Sequence, residues 1–105
     1  MTTFIYHLES DGKPFYVGVS DSPYSRFKLH QSAFKNKENG KYPKMYFKFP
    51  NKFELFIVDE VKVSDFDFWE RHYLSLYKSW NFNLLNTHVG GQSIGVNNRT
   101  PEYYL

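Results

Sequence analysis

The chain of 105 residues contains no cysteine. The sequence therefore excludes disulfides and metal sites built on thiolates. It also lacks an apolar run long enough to cross a bilayer, and its N-terminus has no signal-peptide pattern. We therefore expect a soluble intracellular protein, in the cytoplasm or a host-cell cytoplasm, that does not bind membranes.

Net charge is also small, at +2, and taken alone it does not indicate a nucleic-acid-binding protein. The charges are unevenly distributed, however. Residues 26–52 are basic with only Glu38 opposing, whereas residues 54–70 are mostly acidic. The basic candidates for contacts to nucleic acid are Arg26, Lys28, Lys35, Lys41, Lys44 and Lys48. Because aromatic residues lie among them, this segment predicts either a phosphate-facing surface or an ordinary solvated helix and loop.

A β-hairpin is predicted near the N-terminus. Residues 4–8 alternate between two faces, residues 15–19 are aromatic and β-branched, and Asp11-Gly12 between them is a hairpin-turn signal. An odd-numbered loop would place Tyr6 opposite Tyr16, with both phenols on one face. A two-residue loop would instead pair Tyr6 with Val17 and separate the tyrosines. We favour the first register.

A helix is expected to follow this hairpin. Asp21 or Ser22 is suited to cap it, and Pro23 is suited to its first position. Arg26 and His30 are four residues apart and share a flank of this helix. The adjoining face is shared by Tyr24, Phe27, Gln31 and Phe34.

The middle of the chain predicts a short helix over residues 44–49 and a buried strand over residues 53–61. If this strand pairs with the hairpin, the fold is α+β, with a small three-stranded antiparallel sheet flanked by helices. A second long helix is expected to begin after Ser64. Glu70 falls at the edge of its apolar stripe, where a carboxylate is costly unless it is paired, hydrogen-bonded or bound to a metal.

These residues together resemble the GIY-YIG nucleases, including the homing endonucleases of that family. Phe4-Ile5-Tyr6 and Tyr16-Val17-Gly18 stand at the two motifs, and the later positions are filled by Arg26, His30, Glu70 and Asn86. Phe4 replaces the glycine of the first motif and Val17 the isoleucine of the second. Neither position carries a reacting group in the family, so both departures are interpreted as structural.

The resemblance implies a metal-dependent endonuclease that hydrolyses DNA, with a GIY-YIG-like α/β sandwich fold. It assigns catalysis to Tyr6, Tyr16, Arg26, His30 and Glu70, and supporting roles to Gly18 and Asn86. It assigns Mg²⁺ or Mn²⁺ to Glu70, since Mg²⁺ is often held by only one or two protein carboxylates.

Among the catalytic residues, the resemblance implies that Tyr6 activates water with help from His30, while Tyr16 positions water or phosphate. The two tyrosine roles stay interchangeable at this point. A phenol of ordinary pKa is a poor base at neutral pH, so a nearby metal or cation is expected to lower that pKa.

The expected domain spans residues 1–88, and residues 89–105 form a tail or linker rich in Gly and Asn. In homing-type relatives such a segment leads into a separate DNA-binding region. The chain is thus expected to be a minimal enzyme, monomeric or weakly oligomeric, or to lack a DNA-binding domain after Leu105. Two alternatives remain open: a catalytically silent nucleic-acid-binding module of the same fold, and a small protein-interaction domain.

Overall fold

A three-stranded antiparallel sheet with the first strand in the middle organises the part of the chain that the computed structural model describes, residues 1–86. The predicted tail lies outside these residues, so the domain division at residue 88 stays a prediction. The elements are β1 (Thr2–Ser10), β2 (Lys13–Ser20), α1 (Pro23–Lys35), 3-10 helices at Lys37–Asn39 and Lys44–Lys48, β3 (Glu54–Lys62), a 3-10 turn at Val63–Asp65, and α2 (Phe66–Ser79). The predicted α+β class, with helices flanking a three-stranded sheet, is confirmed.

The turn between β1 and β2 has only two residues, Asp11 and Gly12, and both have positive φ angles, 53° and 73°. Two successive left-handed residues match the twist of a two-residue hairpin, which explains the Asp-Gly sequence. Ser10 pairs with Lys13 across this turn.

The register of the hairpin differs from both predicted registers. A bulge after Leu8 shifts the pairing by one residue, so that Leu8 faces Tyr16 and Tyr6 faces Gly18. The extra residue on β2 is Phe15, which packs in the same cluster as Tyr6 and Leu8. Tyr6 and Tyr16 are therefore diagonal rather than opposite, yet they do lie on one face, as expected.

The two faces of the sheet carry separate hydrophobic clusters, because successive residues of the central strand point in opposite directions. The face covered by α1 and the 3-10 helix Lys44–Lys48 buries Tyr6, Leu8, Phe15, Ala33, Tyr46 and Phe49. The face covered by α2 buries Ile5, Val17, Val19, Val61, Leu74 and Tyr77. We call these the α1 face and the α2 face.

Helix α1 buries the predicted flank of Arg26 and His30, and Phe27 and Phe34 of the adjoining face pack half-buried against the same cluster. Pro23 occupies its first turn, the buried residues are Pro23, Arg26, His30 and Ala33, and Tyr24 is 65% exposed. Apolar periodicity alone does not identify this flank, because two of its members are polar. His30 is acceptable there because phenol hydroxyls provide its hydrogen bonds, as described below.

Strand β3 was expected to be buried, and this prediction is wrong. It pairs with β1 alone among the described strands, and Phe56 and Ile57 are 44% and 42% exposed. The outer edge of β2 has a partner, since the Leu85 amide donates a 2.7 Å hydrogen bond to the Phe15 carbonyl.

Helix α2 begins at Phe66, after the 3-10 turn. Ser64 was expected to cap this helix, and that prediction is wrong. Its buried residues are Glu70, Leu74 and Tyr77. The Tyr77 hydroxyl lies 2.7 Å from His7 Nδ1, which ties the end of α2 to β1. No helix within residues 1–86 has the length and apolarity needed to cross a bilayer.

Candidate active site

A buried imidazole lies between two phenols on the α1 face. His30 Nε2 is 2.8 Å from the Tyr6 hydroxyl, and His30 Nδ1 is 2.9 Å from the Tyr46 hydroxyl. The exposed fractions of Tyr6, His30 and Tyr46 are 1%, 1% and 3%. Both ring nitrogens are thus hydrogen-bonded, and the side chains of β1, α1 and the 3-10 helix meet at one point.

His30 is neutral in this setting. Burial, and then the positive charge of Arg26, lower its pKa to about 3, because both disfavour the imidazolium. A neutral imidazole donates from one nitrogen and accepts at the other. It can therefore take a proton from one phenol while donating its own to the other.

Tyr16 completes this aromatic group from β2. Its ring centroid lies 5.2 Å from that of His30, edge to face, and 6.4 Å from that of Tyr6. Burial raises the pKa of both tyrosines above the ordinary phenol value, and Glu70 raises it further, while Arg26 lowers it. The expected cationic effect on the phenols is present, but burial outweighs it.

Arg26 lies one helical turn before His30 and is only 9% exposed. Within residues 1–86, the guanidinium forms no ion pair; the described ion pair joins His7 and Glu9 instead. Its charge acts on Tyr6, Tyr16 and His30. A buried guanidinium beside phenols is a suitable donor of paired hydrogen bonds to a phosphate.

The charge of Glu70 acts on the phenols of the α1 face, although α2 packs on the opposite face of the sheet. Its side chain is 5% exposed, and its negative charge contributes to the raised pKa of both Tyr6 and Tyr16. The rings of Tyr6, Tyr16 and His30 thus contact one another, while Arg26 and Glu70 change the pKa of both phenols in opposite directions.

Position 18 requires glycine for a steric reason that the sequence alone did not reveal. It lies opposite Tyr6 in the ladder, and a Cβ atom at this position would overlap the Tyr6 ring and hydroxyl. The absence of a side chain at Gly18 is what allows the Tyr6 phenol to lie across β2.

Asn86 acts on the backbone rather than on the phenols. Its Nδ2 donates to the Val17 carbonyl at 2.8 Å, and its Oδ1 accepts from the Val17 amide at 3.0 Å. This pair of bonds fixes the segment after α2 along the edge of β2, between Tyr16 and Gly18.

The family model of the GIY-YIG catalytic domain matches residues 2–83. The chain belongs to the GIY-YIG nuclease family. Comparison with curated proteins and with solved structures gives no significant match. The family indicates a nuclease, and the fold agrees with it.

The two motifs of this GIY-YIG domain alternate across the sheet. Tyr6, Tyr16 and Gly18 belong to the α1 face, whereas Ile5 and Val17 are buried in the α2-face cluster. The valine that replaces the usual isoleucine thus packs away from the phenols. Phe4, by contrast, shares the face of Tyr6 by strand alternation and is half-buried.

Sequence reasoning missed Tyr46, which it treated only as an aromatic residue within the basic segment. No periodicity connects it to His30, because the two belong to different helices. The Phe49 ring packs against both residues. Its centroid lies 4.7 Å from that of Tyr46 and 6.0 Å from that of His30.

Proposed function

We propose that this protein is a divalent-metal-dependent endonuclease that hydrolyses DNA phosphodiester bonds at the site formed by Tyr6, Tyr16, Arg26, His30 and Glu70. The observation that carries the proposal is the 2.8 Å hydrogen bond between the Tyr6 hydroxyl and His30 Nε2 beside a buried arginine. Phosphodiester hydrolysis needs a route for the proton of the attacking water and a cation at the phosphate, and this pair of features provides both.

Arg26 is proposed to bind the scissile phosphate. A guanidinium keeps its charge at every relevant pH and offers two parallel N–H donors to phosphate oxygens. Since it is largely desolvated, its attraction for an anion is screened less than that of a surface lysine. A bound phosphate would also offset the repulsion that Arg26 exerts on a protonated His30.

Tyr6 is proposed to act as a neutral proton relay rather than as a phenolate. Burial keeps its pKa above the ordinary value, so the phenol carries its proton at neutral pH. As the water attacks, the Tyr6 oxygen accepts a proton from it while the original hydroxyl proton moves to His30 Nε2. The phenol stays neutral and the positive charge appears on His30, where the substrate phosphate favours it.

Tyr16 is proposed to position the water or the phosphate. Its ring packs edge-on against His30, and burial keeps its hydroxyl protonated. It is therefore available as a hydrogen-bond donor rather than as a second base.

Glu70 is proposed to hold Mg²⁺ or Mn²⁺. Residues 1–86 contain no group of three or more His, Cys, Asp or Glu side chains that could hold a metal ion. A single buried carboxylate nevertheless fits Mg²⁺, which keeps several of its waters. When bound, the ion supplies a Lewis acid at the phosphoryl oxygens and the leaving group.

The exposed lysines around the site are proposed to bind the DNA backbone. Helix α1, which carries Arg26 and His30, also carries Lys28 and Lys35; Lys41 precedes the 3-10 helix of Tyr46, and Lys44 and Lys48 belong to it. Each phosphate contact adds to the salt dependence of binding. These residues support affinity without sequence preference.

Cleavage assays with supercoiled plasmid, in the presence and absence of Mg²⁺, test the proposal. Glu70→Ala and Arg26→Ala should each abolish nicking while leaving the circular dichroism spectrum unchanged. Matched controls are Glu54→Ala on β3 and Arg71→Ala on α2, which remove exposed charges of the same kind and should retain cleavage.

Duplex, branched and single-stranded substrates extend the same assay. Full activity of either site variant would overturn the proposed site. If the wild-type protein binds DNA with a steep salt dependence but cuts none of the substrates, the protein is instead a silent nucleic-acid-binding module. The absence of salt-sensitive DNA binding would favour a protein-interaction domain.

A further inference from the structure

We propose that Tyr46 is a positioning residue that fixes the tautomer of His30, with the imidazole proton on Nδ1 and the lone pair of Nε2 turned to Tyr6. This inference rests on the proposed function for its catalytic meaning, and it adds a residue outside the family motifs.

The geometry leaves two arrangements for the Tyr6–His30–Tyr46 chain. In the first, Nδ1–H donates to the Tyr46 oxygen and the Tyr6 hydroxyl donates to Nε2. In the second, Nε2–H donates to the Tyr6 oxygen and the Tyr46 hydroxyl donates to Nδ1. Both satisfy the distances of 2.8 Å and 2.9 Å, so the choice depends on the remaining hydroxyl proton.

That remaining proton distinguishes the two arrangements. In the first arrangement, the Tyr46 hydroxyl proton is not used in the chain and needs another acceptor. In the second arrangement, the Tyr6 hydroxyl proton is the one that needs another acceptor. Tyr6 lies on the central strand of the sheet, whereas Tyr46 lies on the 3-10 helix Lys44–Lys48, where its neighbours Phe47 and Lys48 are exposed. A hydroxyl proton without an acceptor is costly, and the first arrangement gives the Tyr6 proton an acceptor in His30 Nε2 while leaving the Tyr6 oxygen able to accept from the attacking water. The first arrangement is therefore preferred.

This tautomer is also the one that the relay needs. Nε2 must have a free lone pair to accept the Tyr6 proton, and which ring nitrogen is protonated is set by the hydrogen bond at the other. When Nε2 takes the proton, Nδ1–H remains donated to Tyr46, so the imidazolium forms with both protons hydrogen-bonded. The net change is one proton moved from the Tyr6 oxygen to His30 Nε2.

Tyr46→Phe is the decisive variant, because it removes one hydroxyl and keeps the ring that packs on Phe49. Imidazole ¹H–¹⁵N correlation spectra of the full chain at pH 7, with His30 assigned through His30→Asn, report the tautomer without any cleavage. We expect Nδ1–H in the wild type and a mixture of tautomers in the variant.

In steady-state cleavage with Mg²⁺, Tyr46→Phe should lower kcat on the order of ten- to a hundredfold, as when an outer hydrogen-bond partner of a functional histidine is lost. KM should be nearly unchanged. The matched control is Tyr73→Phe, which removes a phenol hydroxyl bonded to Asp59 at 2.8 Å and should change neither the His30 spectrum nor kcat.

An Nε2–H tautomer in the wild type, or an unaltered His30 spectrum in Tyr46→Phe, would overturn the inference. A fall in kcat without any spectral change would also count against it, since it would place the effect elsewhere. If the wild-type chain does not cleave DNA, the proposed function fails, but the spectra still decide whether Tyr46 sets the tautomer.

Discussion

The two faces of the sheet each hold a histidine bonded to a tyrosine, but the two histidines have different neighbours. On the α1 face, His30 lies between two phenols with Arg26 nearby. On the α2 face, His7 Nδ1 meets the Tyr77 hydroxyl at 2.7 Å and Nε2 meets a Glu9 carboxylate oxygen at 2.8 Å.

This difference separates the proposed proton-transfer histidine, His30, from the structural histidine, His7. His7 and Glu9 lie two residues apart on β1, and the bond from the His7 imidazole to the Tyr77 hydroxyl joins β1 to α2. Burial and the Arg26 guanidinium instead lower the pKa of His30, so that its imidazole is neutral and able to accept a proton. Tyr6 and His7 are consecutive, so the alternation of β1 places Tyr6 on the face of the proposed active site and His7 on the α2 face.

Removing each imidazole in turn gives the largest expected contrast. His30→Ala should reduce DNA cleavage by about a hundredfold or more, the usual loss when a general acid–base group is removed. His7→Ala should retain cleavage but lose about 1–3 kcal/mol of unfolding free energy, because the Tyr77 hydroxyl loses its partner. Plasmid nicking rates and chemical denaturation measure the two effects, and equal loss of cleavage in both variants would refute the assignment.

A substitution that displaces the Tyr6 ring tests how tightly the α1 face is packed, without any measurement of cleavage. Gly18→Ala should destabilise the protein by about 1–3 kcal/mol, since the new methyl group overlaps the Tyr6 phenol. In a Tyr6→Ala background the same change should cost much less, because the ring is gone. Denaturant unfolding of the four proteins gives this coupling, and additive effects would show that the two residues do not touch.

The pH dependence of stability should also distinguish the two histidines. An unfolded histidine takes up a proton near pH 6.5, but His30 stays neutral until about pH 3 in the folded state. Its contribution is therefore complete above pH 6.5 and declines as the pH falls towards 3, by up to about 1.4 kcal/mol per pH unit.

Urea unfolding between pH 7 and pH 5 measures this slope. The His30→Asn variant should lose the corresponding part of the pH dependence, and His7→Asn, as the matched control, should keep it. A wild-type slope equal to that of His30→Asn would mean that His30 is protonated in the folded protein.

The smallest effect is expected at the edge of β2. Asn86→Ala removes two hydrogen bonds to the Val17 backbone, each of which contributes about 0.5–1 kcal/mol at this half-buried edge. We expect a loss of roughly 1–2 kcal/mol of unfolding free energy, against little change for the exposed Asn83→Ala. Equal stability of both variants would leave Asn86 without the anchoring role.

Pattern and motif identified the strands, the helices and the family, because these depend on alternation and on short sequence signals. The hairpin register was missed because it depends on a bulge at Phe15, which tertiary packing decides. The depth of burial of His30 could not be predicted, because a polar residue is accepted there only with hydrogen-bond partners that the fold supplies. Tyr46 was missed because its bond to His30 joins residues from separate helices.

The bulge at Phe15 also constrains how this hairpin can change length. Side chains alternate along each strand, so inserting or deleting one residue between Tyr6 and Tyr16 would send one phenol to the α2 face unless a second irregularity compensates. Relatives whose tyrosines are spaced differently by one residue are expected to gain or lose a bulge, or to change the turn. Between the two motifs, what must be preserved is whether the number of intervening residues is odd or even, rather than the number itself.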